Sequence, residues 1–390
     1  MSEIAMIKRI LDISLPPRKS AFLWGARKTG KSTYLKKTFP DSLRFDFLMT
    51  DVFFSLSKEP ALLREQILSE RNIKRLRHPI IIDEVQKIPS ILDEVHWLIE
   101  NKGLCFILCG SSARKLKRGH ANLLGGRAWR FEMFPLTSQE IGKVHLLKAL
   151  NSGLIPTHYL EDGYRKSLRS YVQDYLKEEI MAEGLTRNIP AFARFLDSLG
   201  YSNGELTNFS NIARDCGVDS KTVREYYQIL EDTLLGTFIA PYTKKKGRQT
   251  ITKAAKFYLF DVGVAGILSK RIVQEEKGFL FGQAFEHFIL MEILAHKSYK
   301  EADYEVQFWR TKAGNEVDFI LRDGEIAVEV KGTNRVDKAD LRSIKIFQEE
   351  YKPERSIVVC NEKHPRKHGE IEILPWQEFL SMLWNGDLIK

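Results

Sequence analysis

Cysteine is scarce in this chain of 390 residues: Cys105, Cys109, Cys216 and Cys360 are scattered and form no CxxC pair. A disulfide-stapled, secreted fold is therefore excluded. No apolar run approaches the roughly 18 residues needed to span a bilayer. The N-terminus, MSEIAMIKRILDISLPPRK, has no apolar signal core and reads as a short amphipathic helix ending at Pro16-Pro17. A cytoplasmic protein is expected. Disorder is excluded too, because 43% of residues are hydrophobic and 11% aromatic, ample to build a core. The length points to roughly two to three domains. Against 51 acidic residues stand 60 Lys and Arg, a net charge of +9 that favours a polyanionic partner.

The first signal is a short apolar strand, Ser20–Trp24, followed at once by Gly25-Ala26-Arg27-Lys28-Thr29-Gly30-Lys31-Ser32-Thr33. This is GxxxxGK[ST] in the strand–loop–helix setting that a phosphate loop requires. Gly25 and Gly30 let backbone N–H groups wrap phosphates, Lys31 reaches the terminal oxygens, and Ser32 offers a hydroxyl to Mg²⁺. Downstream, Pro79-Ile80-Ile81-Ile82-Asp83-Glu84 is a buried β-branched strand ending in two carboxylates. In such a pair Asp83 holds the Mg²⁺ of ATP and Glu84 polarises the attacking water. A third apolar strand, Leu104–Cys109, ends in Gly110-Ser111-Ser112, which makes Ser111 a candidate γ-phosphate sensor. Cys105 and Cys109 share a face of that strand and read as core. Arg127, after Gly125-Gly126, is either an arginine finger for a neighbouring subunit's site or a solvated residue packed on Trp129.

The segments GARKTGKST, IIIDEVQKIP, LCGSSARKL, LLGGR and FEMFPLTSQEI resemble a group of bacterial and archaeal AAA+ ATPases that carry a C-terminal region of uncertain role. The likeness continues through YVQDYLKEEI into the last third. It implies an α/β P-loop AAA+ core over residues 1–135, a helical lid over 136–200 and assembly into a ring, a hexamer by that analogy.

From Asn208 to Arg224 the chain reads as helix, tight turn at Gly217 and second helix, capped by Ser220 or Asp219. Lys221, Arg224 and Gln228 fall on the exposed face of the second helix. A hairpin is expected next, with strands near Leu235–Tyr242 and Thr250–Lys253 around Lys244, Lys245, Lys246 and Arg248. From Thr243 to Lys256 there are six basic residues and no acidic one. Helix-turn-helix plus basic hairpin is a winged-helix arrangement over residues 201–278, suited to DNA through groove and phosphates or to docking a protein.

The last segment, 279–390, reads helix, three strands, helix. Glu286 lies on the helix, Asp318 on the strand Glu316–Leu321, and Glu329 and Lys331 share one face of the next strand. Two carboxylates on adjacent strands beside a lysine suit metal-assisted phosphodiester cleavage: Asp318 and Glu329 hold Mg²⁺, Lys331 orients water, and Glu286 completes the set. The constellation resembles the PD-(D/E)XK nuclease superfamily and implies a restriction-endonuclease-like α/β domain that cuts DNA or only binds it. Val317 stands where that pattern has proline. His364 and His368 read as surface residues, because Pro365 opposes the helix that would bring them together.

The whole sequence thus predicts an ATP-hydrolysing protein that remodels or translocates DNA, with branched DNA such as Holliday junctions among its candidate substrates. A nucleotide-gated switch or protein-binding ATPase with an inactive nuclease-like scaffold is the rival.

Overall fold

A computed structural model describes residues 7–69, 78–112, 114, 116, 124–175, 188–243 and 254–389. It divides into two compact units. One comprises Arg9–Phe134 with Leu230–Leu235; the other takes Met1–Lys8, Pro135–Ile229 and Gly236–Lys390.

The first unit is a parallel sheet flanked by helices. Its strands are β1 (Ser20–Trp24), β2 (Arg44–Asp46), β3 (Ile80–Asp83), β4 (Phe106–Gly110) and β5 (Ala128–Glu132), in the order β2-β3-β4-β1-β5. Strands β1, β3 and β4 are buried along their whole length, which is why they read as continuous apolar runs. Helices α1 (Lys31–Thr38), α2 (Thr50–Lys58), α3 (Leu62–Leu68) and α4 (Ile91–Lys102) cross between them. Ile91, Leu92, Val95 and Leu98 give α4 an apolar face buried in the same core as Phe22, Ile82 and Leu108. No helix forms over residues 7–16, contrary to the expectation for the N-terminus. Leu11 and Ile13 are buried while Asp12 and Ser14 are exposed, so the alternation has a period of two. Tyr34 Oη donates to the Leu11 carbonyl at 3.0 Å and ties this strap to α1.

The second unit begins with short helices: α5 (Ser138–Ile141), α6 (Leu146–Ser152), α7 (Pro156–Leu160) and α8 (Tyr164–Ser170). Next come α9 (Ile189–Ser202), α10 (Phe209–Cys216) and α11 (Ser220–Asp232), the last ending in the first unit's share of the chain. An eight-stranded sheet follows, in the order β12-β13-β11-β10-β9-β8-β6-β7. Its members are β6 (Gly236–Pro241), β7 (Lys256–Leu259), β8 (Val306–Arg310), β9 (Glu316–Leu321), β10 (Ile326–Lys331), β11 (Arg355–Cys360), β12 (Arg366–His368) and β13 (Ile371–Pro375). Helices α12 (Val262–Leu268), α13 (Gly278–Tyr299), α14 (Arg342–Tyr351) and α15 (Trp376–Asn385) complete it. By length and composition α13 could cross a membrane, yet 61% of its apolar window is buried within the protein, as in a core helix.

The expected lid, winged helix and nuclease-like segment do not separate here into three bodies. Buried carboxylates join them. Asp261 caps α12 through Gly263 and Val264 and also accepts from Leu154 N at 2.7 Å; a Cβ on Gly153 would collide with Asp261, and one on Gly263 with the Ser152–Gly153 backbone. Glu292 on α13 accepts from Ser138 N, Ser138 Oγ and Trp384 Nε1 at 2.7–2.8 Å. The expected hairpin forms with a different second strand, since β6 pairs antiparallel with Lys256–Leu259. Thr250–Lys253 and the tip Lys244–Arg248 lie outside the described residues, as does the stretch 176–187 of the expected lid. Strand β6 also pairs in parallel with β8 through Ala240 and Pro241, which fastens the would-be wing into the C-terminal sheet. Tyr242 seals that junction: its ring lies against Phe347 and Tyr351, and its hydroxyl donates to the Asp323 carbonyl at 3.0 Å.

Candidate functional site

Because β1, β3 and β4 are parallel neighbours, their C-terminal ends share one edge of the sheet, where ligands of open α/β sheets bind. Trp24 stands in register with Gly110, so the loop after β1, the carboxylates after β3 and Ser111 after β4 converge. Gly25 is obligatory on steric grounds: a Cβ there would stand 2.5 Å from the Met133 carbonyl oxygen. Gly30 caps α1 in the left-handed region (φ 97°) without a side-chain partner, leaving the first-turn N–H groups directed outward. Thr29 and Ala26 are buried and brace the loop, Thr29 Oγ1 donating to the Ala26 carbonyl at 2.8 Å. Arg27, Lys28 and Thr33 are exposed. Arg9 fastens the loop from behind, donating to the Thr29 and Phe134 carbonyls at 2.6 and 2.7 Å.

Lys31 is buried, and its ammonium lies on the Gly25 and Ala26 carbonyls at 2.6 and 3.0 Å. Ser32 Oγ donates to Asp83 Oδ2 at 2.5 Å. That hydroxyl–carboxylate pair beside a cationic loop is the donor set a phosphate-bound Mg²⁺ takes, so these residues fit the nucleotide and metal. Glu84 follows with a left-handed backbone (φ 57°, ψ 41°), which turns the chain sharply at the strand end. Its Oε2 accepts from Gln86 Nε2 at 2.7 Å, and the same amide donates to Ser111 Oγ at 3.1 Å. Gln86 was not singled out in the sequence; only its place two residues after Glu84 marks it.

Arg127 lies elsewhere. It precedes β5, whose first residue pairs with Ser20 at the start of β1, so it stands at the edge opposite the phosphate loop. There it is paired with Glu100 and also donates to the Gly125 carbonyl.

On the helix pair, Asp219 is the cap of α11, accepting from Thr222 N at 2.8 Å. Lys221, Arg224 and Gln228 are exposed on α11, and the Arg224 guanidinium lies 4.4 Å from the Phe209 ring centre. Lys244, Lys245, Lys246 and Arg248 lie outside the described residues.

The C-terminal carboxylates do gather, but around a cation the sequence reading assigned to the basic hairpin. Lys256 on β7 is buried and pairs with Glu316 at 2.5 Å and Glu286 at 3.4 Å. Burial lowers its affinity for the proton; Glu286, Asp318 and Glu316 more than offset this and hold it above the ordinary lysine value. Tyr258 Oη donates to Glu286 at 2.5 Å, and Arg310 pairs with Glu316 at 2.8 Å. Asp318 accepts from Val330 N at 2.7 Å. Burial, then the neighbouring Glu329 and Glu286 charges, push its carboxyl well above the usual range. Glu329 Oε1 takes Lys331 at 2.5 Å, while its buried Oε2 has no hydrogen-bond partner; burial raises this carboxyl to about 7. Among the described residues no three His, Cys, Asp or Glu side chains are grouped to hold a metal ion. Of the expected Mg²⁺ pair, Asp318 already accepts from the Val330 amide, and Glu329 already holds Lys331 through one oxygen. Strand β7 adds a further ammonium to the cluster, Lys256 beside Glu286 and Glu316.

The first unit's fold and loop define a P-loop ATPase domain of the AAA type. Residues 17–142 match the family model described as AAA domain. Two domains of unknown function, DUF8612 and DUF4143, match residues 145–275 and 281–379. An uncharacterized protein of Mycobacterium tuberculosis is 24% identical over 250 residues, 62% of this chain and 55% of its own length. The chain thus spans about half the length of that relative. An uncharacterized protein of Methanocaldococcus jannaschii is 22% identical over 349 residues, 81% of this chain and 75% of its own. Among solved structures, a Walker-type ATPase of Pyrococcus abyssi aligns with a TM-score of 0.41 at 15% identity, covering 64% of this chain and 90% of that one.

Proposed function

We propose that this protein hydrolyses ATP at the β1–β3–β4 edge and couples turnover to DNA bound by α10 and α11. The observation that carries the proposal is the convergence of a buried Lys31, the Ser32–Asp83 pair and Glu84 on one sheet edge. Bound Mg²⁺ supplies charge neutralisation on the phosphates. Lys31 exchanges two carbonyls for phosphate oxygens, the α1 N-terminus receives their charge, and Glu84 polarises water toward the γ-phosphorus. Arg127, at the far edge, can meet a nucleotide only in another subunit's site, which favours a ring; a hexamer is the expected size by analogy alone. Lys221, Arg224 and Gln228 present a basic, polar helix face of the type that enters a DNA groove. The C-terminal sheet, where Lys256 and Lys331 are held by carboxylates, is assigned DNA recognition rather than cutting.

A second reading, a nucleotide-gated switch, is favoured by one contact. Asp232, the last residue of α11, accepts from Arg114 at 2.6 Å within the ATPase unit, three residues past Ser111.

The test is steady-state turnover of Mg-ATP alone and with single-stranded, duplex and four-way-junction DNA. Stimulation by one form is expected, lost in Lys31→Ala and weakened in Lys221→Glu/Arg224→Glu with a shallower salt dependence. Full DNA-stimulated turnover in Lys31→Ala would sink the reading, and turnover indifferent to all three DNAs would leave the switch in its place.

A further inference from the structure

We infer that Gln86 is a positioning residue for hydrolysis: its side-chain amide clamps the Glu84 carboxylate to the sensor Ser111, so that the water-polarising group and the phosphate-contacting group move as one. The inference rests on the reading of Glu84 and Ser111 given above.

Three observations carry it. The amide has two N–H bonds, and both are used, one on Glu84 Oε2 at 2.7 Å and one on Ser111 Oγ at 3.1 Å. The assignment of nitrogen and oxygen is fixed by chemistry, because the carboxylate can only accept. Gln86 is 5% exposed, and its Oε1 has no hydrogen-bond partner. A buried amide that leaves its oxygen unmet is an expensive way to fill space. Methionine would occupy the same volume without that cost. The fold also makes room for it: a Cβ on Gly110 would stand 2.2 Å from Gln86 Oε1 and 2.8 Å from the Trp24 ring. Gly110 is the last residue of β4, directly before Ser111. Glutamine, glycine and serine are therefore one spatial unit across two strand ends.

The mechanism follows from geometry. Glu84 sits at the strand end on a left-handed turn, with its charged tip free to choose rotamers unless held. A displacement of about 1 Å in a group that orients a nucleophile costs on the order of 100-fold in rate. Gln86 removes that freedom, and it does so through Ser111, whose hydroxyl is placed to report an occupied γ-phosphate position.

The experiment uses the full-length protein, with kcat from steady-state Mg-ATP turnover and nucleotide affinity from titration of a fluorescent ATP analogue. Gln86→Met is expected to lower kcat roughly 10- to 100-fold while leaving nucleotide affinity within about twofold. Gln86→Glu, isosteric but repelling Glu84, is expected to fall at least as far, and it serves where the methionine variant fails to fold. Paired with Ser111→Ala, Gln86→Met should cost no more than the larger single loss, because both break one linkage. Turnover within about twofold of wild type in the glutamine variants overturns the inference. So does an equal loss of affinity and kcat, or full additivity with Ser111→Ala. Glu84→Gln separates the two levels: wild-type turnover there refutes the role of Glu84 itself, whereas its loss together with active Gln86→Met refutes only the clamp.

Discussion

The phosphate-loop edge and the C-terminal carboxylate cluster both concentrate charge, but they satisfy it in opposite ways. At the loop, the Lys31 ammonium rests on two neutral carbonyls, and α1 begins without a side-chain cap. Its positive charge is left for a ligand to meet. In the cluster, Lys256 and Lys331 already have Glu316, Glu286 and Glu329 as partners. A site that binds and a site that holds together can be built from the same residue types; the difference lies in whether the counter-charge is part of the chain.

That contrast breaks most readily at Lys256. Lys256→Met leaves the half-buried Glu286 without Lys256 and Glu316 with Arg310 alone, and removing one partner of a buried pair costs about 3–5 kcal/mol. Chemical denaturation at neutral pH measures it. A loss under about 1 kcal/mol would mean that water, not Lys256, neutralises these carboxylates, and the cluster would again be open to a metal.

Ligand addition sharpens the comparison from the other side. At about 100 times its dissociation constant, Mg-ATP is expected to stabilise the ATPase unit by about 2.7 kcal/mol. Mg²⁺ alone should shift neither unit. Thermal unfolding monitored with each additive checks both statements, and stabilisation by Mg²⁺ alone that disappears in Asp318→Asn would show that the C-terminal carboxylates bind the ion after all.

The two sites also differ in how far the sequence discloses them. Residues 25–33 and the run Ile80–Glu84 are local: each motif carries its own strand, and the parallel register then brings them together. Gln86 escaped because a glutamine in a turn has no distinguishing neighbours, and its partner Ser111 is 25 positions away. Lys256 was misread for the same reason in reverse. It ends a run of basic residues that looks like a solvated hairpin, and only the pairing of β7 with β6, and of β6 with β8, buries it. Strand alternation made Glu329 and Lys331 legible as one face, with Asp318 on the neighbouring strand and Glu286 on the helix, but Lys256, which pairs with Glu286, comes from outside the motif. The N-terminal strap failed differently: Leu11 and Ile13 fit a period of two, but so short a stretch also fits one turn of an amphipathic helix.

The smallest predicted effect concerns a group that belongs to neither site and shows what a fully satisfied neutral side chain contributes. His287 on α13 is buried, donating from Nε2 to the Leu259 carbonyl at 2.6 Å, with Asn203 Nδ2 at 3.3 Å from Nδ1. Burial, aided by the Arg271 charge, lowers its pKa to about 3. Below the unfolded value of about 6.5, the unfolded chain takes up a proton that the folded chain refuses. The stability His287 contributes is therefore full above that pH and is lost as pH falls from about 6.5 toward 3. Against the non-titrating His287→Gln, the wild-type advantage should shrink by about 1.4 kcal/mol for each pH unit below 6. Buried acids such as Asp261 and Glu292, whose pKa values are raised by burial to about 6 and about 7, work in the opposite sense. They are common to both proteins and cancel in the difference. Paired urea melts at pH 7.5, 6.0 and 5.0 measure it, and a gap independent of pH would mean that the ring is protonated in the folded state, with Arg271 and the Leu259 carbonyl rearranged around it.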